Sequence, residues 1–269
     1  MVTPSSPISP FLTQLHRGAE AAWLGCQHDW PQLAIEVVPE IHSTNTELMT
    51  RARQGRTEPT LLIAAHQTAG RGRMGRQWED QPAQALMFSL GLPWIGQQWS
   101  GLSLAVGVSL AENLSPQVRL KWPNDLWCQR EGHWHKLAGI LIETANAGDQ
   151  HHLVIGVGIN LTSPTITAPT PTAVTPCGLQ DLGEDAAADS LLARVVPALM
   201  ADVHEAMAHG FAPFVDRFER LDALNGQRVR LSDGREGMAQ GVQSDGALLV
   251  MIDGQRQAIH SQEVSVRPC

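Results

Sequence analysis

Apolar positions along the first 160 residues recur at spacings that predict short strands alternating with helices. The spacing of apolar residues at positions 11–23 predicts a helix that packs on the rest of the protein. Thr44 and Glu47 have the spacing of a capping box, which predicts a helix that starts there and extends to Gln54. Alternating or continuous apolar runs predict strands at residues 35–38, 60–66, 86–92, 118–122, 137–144 and 152–161, and a further helix at residues 101–114.

The pattern changes after residue 161. Residues 162–177 are rich in Thr and Pro, which predicts an irregular surface loop, and two helices are expected at residues 189–208 and 213–221. From residue 226 onward, short apolar runs are separated by Asp-Gly pairs, which are strong hairpin signals. This last segment predicts a small barrel of about five strands.

Several strands with few crossover helices predict an α+β fold, with a mixed, largely antiparallel sheet flanked by helices and a small C-terminal β-barrel. We expect three parts: an N-terminal extension with one helix at residues 1–35, a main domain at residues 36–222 and the barrel at residues 223–269.

Composition limits the classes of function. The 269 residues carry a net charge of −8, so no overall basic field attracts nucleic acid, and any anion site must be a local cluster. The four cysteines lie far apart in the sequence, which argues against a disulfide framework or a zinc site. Neither a secretory signal nor an apolar run of about 18 residues is present, so we expect a soluble, cytoplasmic protein.

Lysine is rare in this chain. Only Lys121 and Lys136 occur, against seventeen arginines. A compact ammonium and a planar guanidinium are not interchangeable where one anionic point must be met. The pattern indicates that this segment needs an ammonium, although chance placement of two residues is the simple alternative.

Glycine and arginine alternate in the loop that follows the strand at residues 60–66. Glycine allows the backbone to approach a ligand closely, and arginine binds phosphate with two parallel hydrogen bonds. The loop therefore predicts a phosphate site, formed by Gly70, Arg71, Gly72, Arg73, Gly75 and Arg76.

The same loop also matches the Gly-x-Gly-x-x-Gly pattern of dinucleotide-binding proteins. That motif needs a helix that opens directly from the loop. Arginines, Trp78 and Pro82 stand where such a helix would begin, which disfavours the dinucleotide interpretation. A Walker loop would need Gly-Lys followed by Ser or Thr, and the sequence has no such pair.

Five motifs together resemble the biotin protein ligase family, in the form without an N-terminal DNA-binding domain. They lie within residues 36–161, and the helices and small barrel that follow extend the resemblance to nearly the whole chain. The motifs are Ser43-Thr44-Asn45, Gln67 with residues 70–76, the Lys-Trp-Pro-Asn-Asp-Leu segment at 121–126, the Lys-Leu-Ala-Gly-Ile-Leu segment at 136–141, and Gly156-x-Gly158-Ile159-Asn160.

The resemblance implies an ATP-dependent ligase with a class II synthetase-like catalytic domain and an SH3-like barrel. Such an enzyme converts biotin and Mg·ATP to biotinyl-5'-AMP, and then transfers biotin to a lysine of the biotin carboxyl carrier protein domain of a biotin-dependent carboxylase. Because only about 35 residues precede the main domain, no DNA partner is expected. The resemblance allows a monomer or a homodimer.

Carried over residue by residue, the resemblance implies two sets of contacts with biotin. The polar head group, whose ureido ring has one acceptor and two donors, would be met by hydroxyl and amide side chains. The carboxylate end of biotin would lie under a flexible loop that closes over biotin and the phosphate, with Lys136 near the carboxylate and the α-phosphate. The biotin set is Ser43, Thr44, Asn45, Gln67, Gly70, Arg71, Gly72, Arg73, Lys136 and Gly139, of which Lys136, Arg71 and Arg73 would be catalytic.

The resemblance also implies an ATP set, with Trp78 as a stacking surface for adenine and Asp125 as a ligand of Mg²⁺. Each of three assignments has a structural alternative. Trp78 could pack in the core, Thr44 could cap a helix, and Lys136 could be a solvated surface residue. The ATP set is Arg73, Arg76, Trp78, Lys121, Asn124 and Asn160.

Two other functions remain open from the sequence. A lipoate ligase-like acyl transferase would use the same scaffold but an apolar tunnel, and a biotin or nucleotide sensor would bind without catalysis. The histidines of His133-Trp134-His135 and His151-His152 are expected to be exposed loop residues rather than metal ligands, because no matching carboxylate cluster accompanies them.

Overall fold

The computed structural model describes residues 8–78, 81–94, 99–147, 150–164, 174–260 and 266–268. Most of the predicted loop at 162–177 and the last cysteine, Cys269, lie outside the described residues. The chain forms two compact units, residues 1–95 with 135–198 and residues 96–134 with 199–269. The domain boundaries expected at residues 35 and 222 stay a prediction.

Helices and strands alternate through the first half, and strands dominate the end of the chain. The helices are α1 Ile8–Cys26, α2 Thr44–Arg53, α3 Leu102–Leu114, α4 Ala188–His209 and α5 Val215–Glu219. The strands are β1 Ala34–Val38, β2 Thr60–Ala64, β3 Ala85–Trp94, β4 Val118–Lys121, β5 Asp125–Arg130, β6 His133–Ala147, β7 Gln150–Asn160, β8 Arg228–Leu231, β9 Glu236–Val242, β10 Leu248–Ile252, β11 Gln255–Ile259 and β12 Val266–Pro268. None of the described helices is both long and apolar enough to span a bilayer.

The first unit is built on a sheet with the strand order β1-β2-β3-β7-β6. Only β1 and β2 pair in parallel, with α2 as the crossover between them, and the remaining pairs are antiparallel. Strands β2 and β3 are buried almost throughout, which explains their near-continuous apolar sequence. The mixed, largely antiparallel sheet expected from the sequence is confirmed.

Helix α2 covers part of one face of this sheet. Its buried residues Leu48, Met49 and Ala52 pack with buried side chains of β2, β6 and β7, which are Leu62, Ala145 and Val154. This contact fixes the start of α2 against the sheet, which matters because the first residues of the helix carry polar groups.

The start of α2 differs from the predicted capping box. Ser43, with φ −161° and ψ 129°, is the N-cap, and its hydroxyl accepts a hydrogen bond from the Thr46 amide at 3.4 Å. Thr44 is already helical, so the expectation of a Thr44 and Glu47 box is wrong by one position. The Thr44 side chain is thereby left for other partners.

Helix α1 packs closely on α4 within the first unit. A Cβ at Gly18 would lie 2.8 Å from the Asp189 Cα, and one at Gly25 would lie 2.6 Å from a Pro197 ring atom. Two glycines on one helix face therefore permit the close approach of the helices. The predicted packing role of the N-terminal helix agrees with this arrangement.

The second unit contains α3, the antiparallel pair β4–β5, α5 and a five-stranded sheet in the order β11-β10-β9-β8-β12. The five C-terminal strands confirm the separate small β-structure expected from the Asp-Gly turns. Strand β5 was not expected. It is joined to β6 by Glu131 and Gly132, whose φ values of 51° and 80° suit a two-residue hairpin turn.

The histidines expected in exposed loops lie in strands instead, so the expected loop placement is wrong, although His133 and His151 are exposed as expected. His133 and His135 belong to β6, and His151 and His152 to β7. His152 is 2% exposed, and its Nδ1 has no hydrogen-bond partner among the described residues. The alternation along β7 turns His151 outward and His152 inward.

His152 should make the protein less stable in mild acid. Burial lowers the pKa of His152, and the nearby charge of Glu58 opposes this with a smaller effect. The unfolded chain, with an imidazole pKa of about 6.5, therefore binds a proton more readily than the native state, and the free energy of unfolding falls as the pH drops below that value.

We expect His152→Leu to remove this component of the pH dependence. Urea unfolding at about pH 7.5 and about pH 5.5 would measure it, with wild type losing more stability than the variant between the two conditions. Equal losses would contradict the role of His152.

Candidate active site

The chain leaves β1 and β2 at the same end of the sheet, because these strands are parallel. A bridge between Ile41 and Gln67 extends their pairing past both strand ends, with the Ile41 amide donating to the His66 carbonyl at 3.1 Å. This places the Ser43 to Asn45 turn beside Gln67. Two motifs that are more than twenty residues apart in the sequence therefore share one site.

Polar side chains at this point are buried. Ser43, Thr44 and Asn45 are each 3% exposed, and Ser89 of β3 is fully buried. The Gln67 Oε1 accepts from the Thr44 amide at 2.7 Å, and the Thr44 hydroxyl lies 2.7 Å from the Ser89 hydroxyl. Buried polar groups are costly unless they are paired, so this cluster is built for a polar ligand or a defined network.

The hydrogen-bond network continues from Ser89 to the glycine- and arginine-rich loop at residues 70–76. Ser89 donates to the Asn45 Oδ1 at 2.6 Å, and the Asn45 amide donates to Glu143 at 3.0 Å. Glu143 in turn forms an ion pair with Arg71, at 3.0 Å between Oε1 and Nη2. One line of contacts thus joins the hydroxyl cluster to the loop.

The loop itself is a small hairpin. Arg71 and Gln77 form an antiparallel bridge, and the Gly72 amide donates to the Arg76 carbonyl at 2.7 Å. A three-residue turn at Arg73–Gly75 replaces the helix that a dinucleotide motif requires, so the dinucleotide alternative is excluded. A Cβ at Gly70 would lie 2.5 Å from the Trp78 carbonyl oxygen, which explains the glycine there.

The indole of Trp78 lies on a bare patch of the sheet. Gly139 of β6 and Gly158 of β7 are register partners, and a Cβ on the latter would come within 2.6 Å of the ring. The Lys136 ammonium is 5.9 Å from the ring centroid, a distance that permits a cation–π contact. The indole nitrogen is buried without a partner among the described residues.

The backbone of Lys136 is held from two sides. Its amide donates to the Thr175 carbonyl at 2.9 Å, its carbonyl accepts from the Cys177 amide at 2.9 Å, and the Asn160 side chain donates to the same carbonyl at 3.4 Å. The Asn160 side chain therefore lies beside the backbone of Lys136.

The remaining predicted residues lie in the second unit. Lys121 and Asp125 are register partners across the β4–β5 turn, and Asn124 lies in that turn. Lys121 is 8% exposed, with its ammonium 5.8 Å from the centroid of a Trp127 ring. These residues form a group of their own at the end of one hairpin.

Two residues of the network were missed from the sequence, Ser89 and Glu143. Each left a detectable signal, because Ser89 is the polar residue in the apolar run of β3, and Glu143 is the acidic residue in that of β6. An isolated polar group in a buried strand is the informative exception to apolar patterning.

Metal chemistry based on a protein cluster is not indicated in the described part of the chain. No group of three or more His, Cys, Asp or Glu residues there could hold a metal ion. Cys26, Cys128 and Cys177 are buried, and no disulfide joins them to one another in the described part of the chain. The first unit instead combines neutral donors and acceptors at one end with Arg and Lys cations at the other, which suits a ligand with a polar neutral head and an anionic tail.

Comparison with known proteins gives the family. Residues 37–160 match the model of the biotin/lipoate A/B protein ligase family. The chain is 35% identical over 246 residues to the bifunctional ligase/repressor BirA of Escherichia coli, covering 87% of this chain and 74% of the relative. It is 33% identical over 259 residues to a biotin–[acetyl-CoA-carboxylase] ligase of Mycobacterium tuberculosis, covering 90% and 91% of the two chains.

A solved structure agrees. The biotin protein ligase from Aquifex aeolicus in complex with biotin and ATP is similar with a TM-score of 0.73 and 26% identity, over 88% of this chain and 99% of that chain. The chain therefore belongs to the biotin protein ligase family.

Proposed function

We propose that this enzyme activates biotin with ATP to biotinyl-5'-AMP and then transfers biotin to a lysine of a biotin carboxyl carrier protein domain. The observation that carries the proposal is the buried hydroxyl and amide cluster of Thr44, Asn45, Gln67 and Ser89. The cluster offers hydrogen-bond donors and acceptors, both of which a ureido ring requires. Its hydrogen bonds continue through Glu143 to Arg71 of the loop.

The first step forms a bond between a biotin carboxylate oxygen and the α-phosphorus of ATP, and pyrophosphate leaves. We assign Lys136 to the carboxylate and α-phosphate, where its ammonium reduces repulsion between the two anions and stabilises charge in the transition state. Arg71, Arg73 and Arg76 meet the phosphates, and closure of their loop protects the mixed anhydride from water. In the second step the carrier lysine amine attacks the acyl carbon and AMP leaves.

The remaining ATP contacts are assigned to Trp78, Asn160, Lys121 and Asn124. Magnesium is usually held by one or two carboxylates together with substrate phosphates, and the partly exposed Asp125 offers one such carboxylate. We therefore assign Mg²⁺ to the ATP phosphates and Asp125. Bound there, the ion would offset phosphate charge.

Biotin is favoured over lipoate by the chemistry of the cluster. A dithiolane ring has no N–H donor and no carbonyl, so it would leave the buried hydroxyl and amide groups without partners, at a cost in affinity. Binding without catalysis would need no ammonium beside the loop, and Lys136 supplies one.

The test is biotin-dependent release of pyrophosphate from Mg·ATP by the purified chain. We expect release with biotin and not with lipoate. Release with lipoate alone would support a lipoate ligase-like acyl transferase. Binding of biotin without pyrophosphate release would support a sensor.

Ser43 offers a test of whether this position has a ligand role besides its cap. Ser43→Ala should lose about 1 kcal/mol of stability with the cap, whereas Ser43→Asp keeps a capping acceptor but buries a charge at a position that is 3% exposed, so its melting temperature should also fall. A carboxylate beside the ureido carbonyl should weaken biotin binding in Ser43→Asp. Unchanged biotin affinity by calorimetry would show that Ser43 is only a cap.

We also propose that the acceptor belongs to a biotin-dependent carboxylase and that the enzyme is cytoplasmic, a compartment in which cysteines stay reduced. The lack of a DNA partner and the choice between monomer and homodimer stay predictions.

A further inference from the structure

Glu143 lies between the hydroxyl cluster and the loop, and its carboxylate contacts both. One oxygen accepts from the Asn45 amide at 3.0 Å, and the pair with Arg71 is completed by an Nη1 contact at 3.2 Å. The Arg71 side chain is 48% exposed, so this ion pair adds little stability by itself. The more important effect of Glu143 is that it orients the Asn45 side chain.

The contacts of Asn45 fix the direction of its amide. The Leu141 carbonyl, at 3.3 Å, and the Glu143 carboxylate both only accept, so the NH₂ group must face them. The Asn45 Oδ1 is then turned toward Ser89, at 2.6 Å, and the Ser89 hydroxyl must donate to it.

The direction of the Asn45 amide also determines which way the Ser89 and Thr44 hydroxyls donate. Ser89 has a single proton, already given to Asn45, so across the 2.7 Å contact the Thr44 hydroxyl must be the donor. The Gln67 Oε1 already accepts from the Thr44 amide at 2.7 Å, and its 3.1 Å contact with the Thr44 hydroxyl is longer than the contact of that hydroxyl with Ser89, but either oxygen would take the one proton of Thr44. The Thr44 hydroxyl is left with lone pairs alone.

We propose that Glu143 is a positioning residue, which orients Asn45, Ser89 and Thr44 so that the Thr44 hydroxyl meets the ligand as an acceptor only. This inference rests on the proposed function, because an acceptor at this point is what a ureido N–H requires. It assigns selectivity for the ureido ring to a residue that need not touch the ligand.

A neutral amide at position 143 removes the fixed direction. The Gln side chain of Glu143→Gln can turn its NH₂ toward Asn45, which permits Asn45 to rotate and both hydroxyls to reverse. The Thr44 proton then opposes a ureido N–H. We expect biotin to bind Glu143→Gln about tenfold more weakly in calorimetry without ATP, which corresponds to about one neutral hydrogen bond.

A second substitution should restore the direction. In the double variant Asn45→Asp with Glu143→Gln, the carboxylate at 45 accepts from Ser89 and from the new amide at 143, and the amide oxygen still accepts from Arg71, while the 3.3 Å bond to the Leu141 carbonyl is lost. The loss of the Arg71 ion pair is the same in the single and double variants. Asn45→Asp alone places two carboxylates together and should also bind biotin weakly.

The matched control is Glu47→Gln, which removes another carboxylate paired with an arginine, at 2.8 Å from Arg51, and outside the network. We expect wild-type biotin affinity in the control and recovery of part of the lost affinity in the double variant. Unchanged affinity in Glu143→Gln, no recovery in the double variant, or an equal loss in the control would each overturn the proposal. Ligation by wild type in the same preparations separates that failure from failure of the proposed function, and a wild type that binds no biotin would overturn both.

Discussion

Lys136→Ala is expected to slow formation of biotinyl-5'-AMP by about a hundredfold to a thousandfold, the usual effect of removing a preorganised charge from a transition state. The Lys136 ammonium lies beside the glycine patch and the Trp78 ring, and its backbone is anchored by Thr175 and Cys177. Single-turnover measurement of adenylate in the presence of Mg·ATP and biotin would give the rate.

Two further variants make this result specific. Lys136→Arg should recover only part of the rate, because a planar fork does not replace a compact ammonium. Arg56→Ala removes an exposed cation whose guanidinium donates to the Gln54 side chain at 3.0 Å, and it should leave the rate unchanged. A rate in Lys136→Ala close to that of wild type would contradict the catalytic assignment.

Gly156→Ala is expected to disrupt the hydroxyl cluster and weaken biotin binding by about a hundredfold, as loss of two or more hydrogen bonds would do. A Cβ at this position would lie 2.2 Å from the Asn45 Oδ1 and 2.8 Å from its Cγ. The amide must therefore move away from Ser89. Overpacking of this kind also costs about 1–3 kcal/mol of stability.

The clash can be relieved without restoring the cluster. In the double variant Gly156→Ala with Asn45→Ala, the amide is absent and the new methyl group has room. We expect thermal unfolding to show a higher melting temperature for the double variant than for Gly156→Ala, while calorimetry shows biotin binding still impaired. Full recovery of biotin affinity would show that Asn45 is not needed for the ligand.

Much of the fold could be predicted because local chemistry determines it. The Asp-Gly turns separate the C-terminal strands, and runs of apolar residues mark β6 and β7. Strand β5 was missed because Pro123, which has no backbone donor, indicated that the strand expected at residues 118–122 ends there, and a new strand two residues later was not expected. The turn at Glu131 and Gly132 was the signal that could have revealed it.

The candidate site was predictable in its motifs and not in its connections. Ser89 and Glu143 become partners of Asn45 only through the register of β3, β7 and β6, where Ser89 pairs with Gly156 and that glycine with Leu141. Register between distant strands depends on tertiary packing, which motif spacing does not encode. His152 was misplaced for the same reason, since its burial depends on which face of the sheet β7 turns inward.

The central claim is that this chain joins biotin to a carrier lysine. Its most direct test is mass spectrometry of a purified biotin carboxyl carrier domain after incubation with the enzyme, biotin and Mg·ATP. We expect the domain to gain one biotinyl group on a single lysine, and no gain when ATP is omitted or when Lys136→Ala replaces wild type. An unmodified carrier, with no biotinyl-5'-AMP in the same mixture, would contradict the claim.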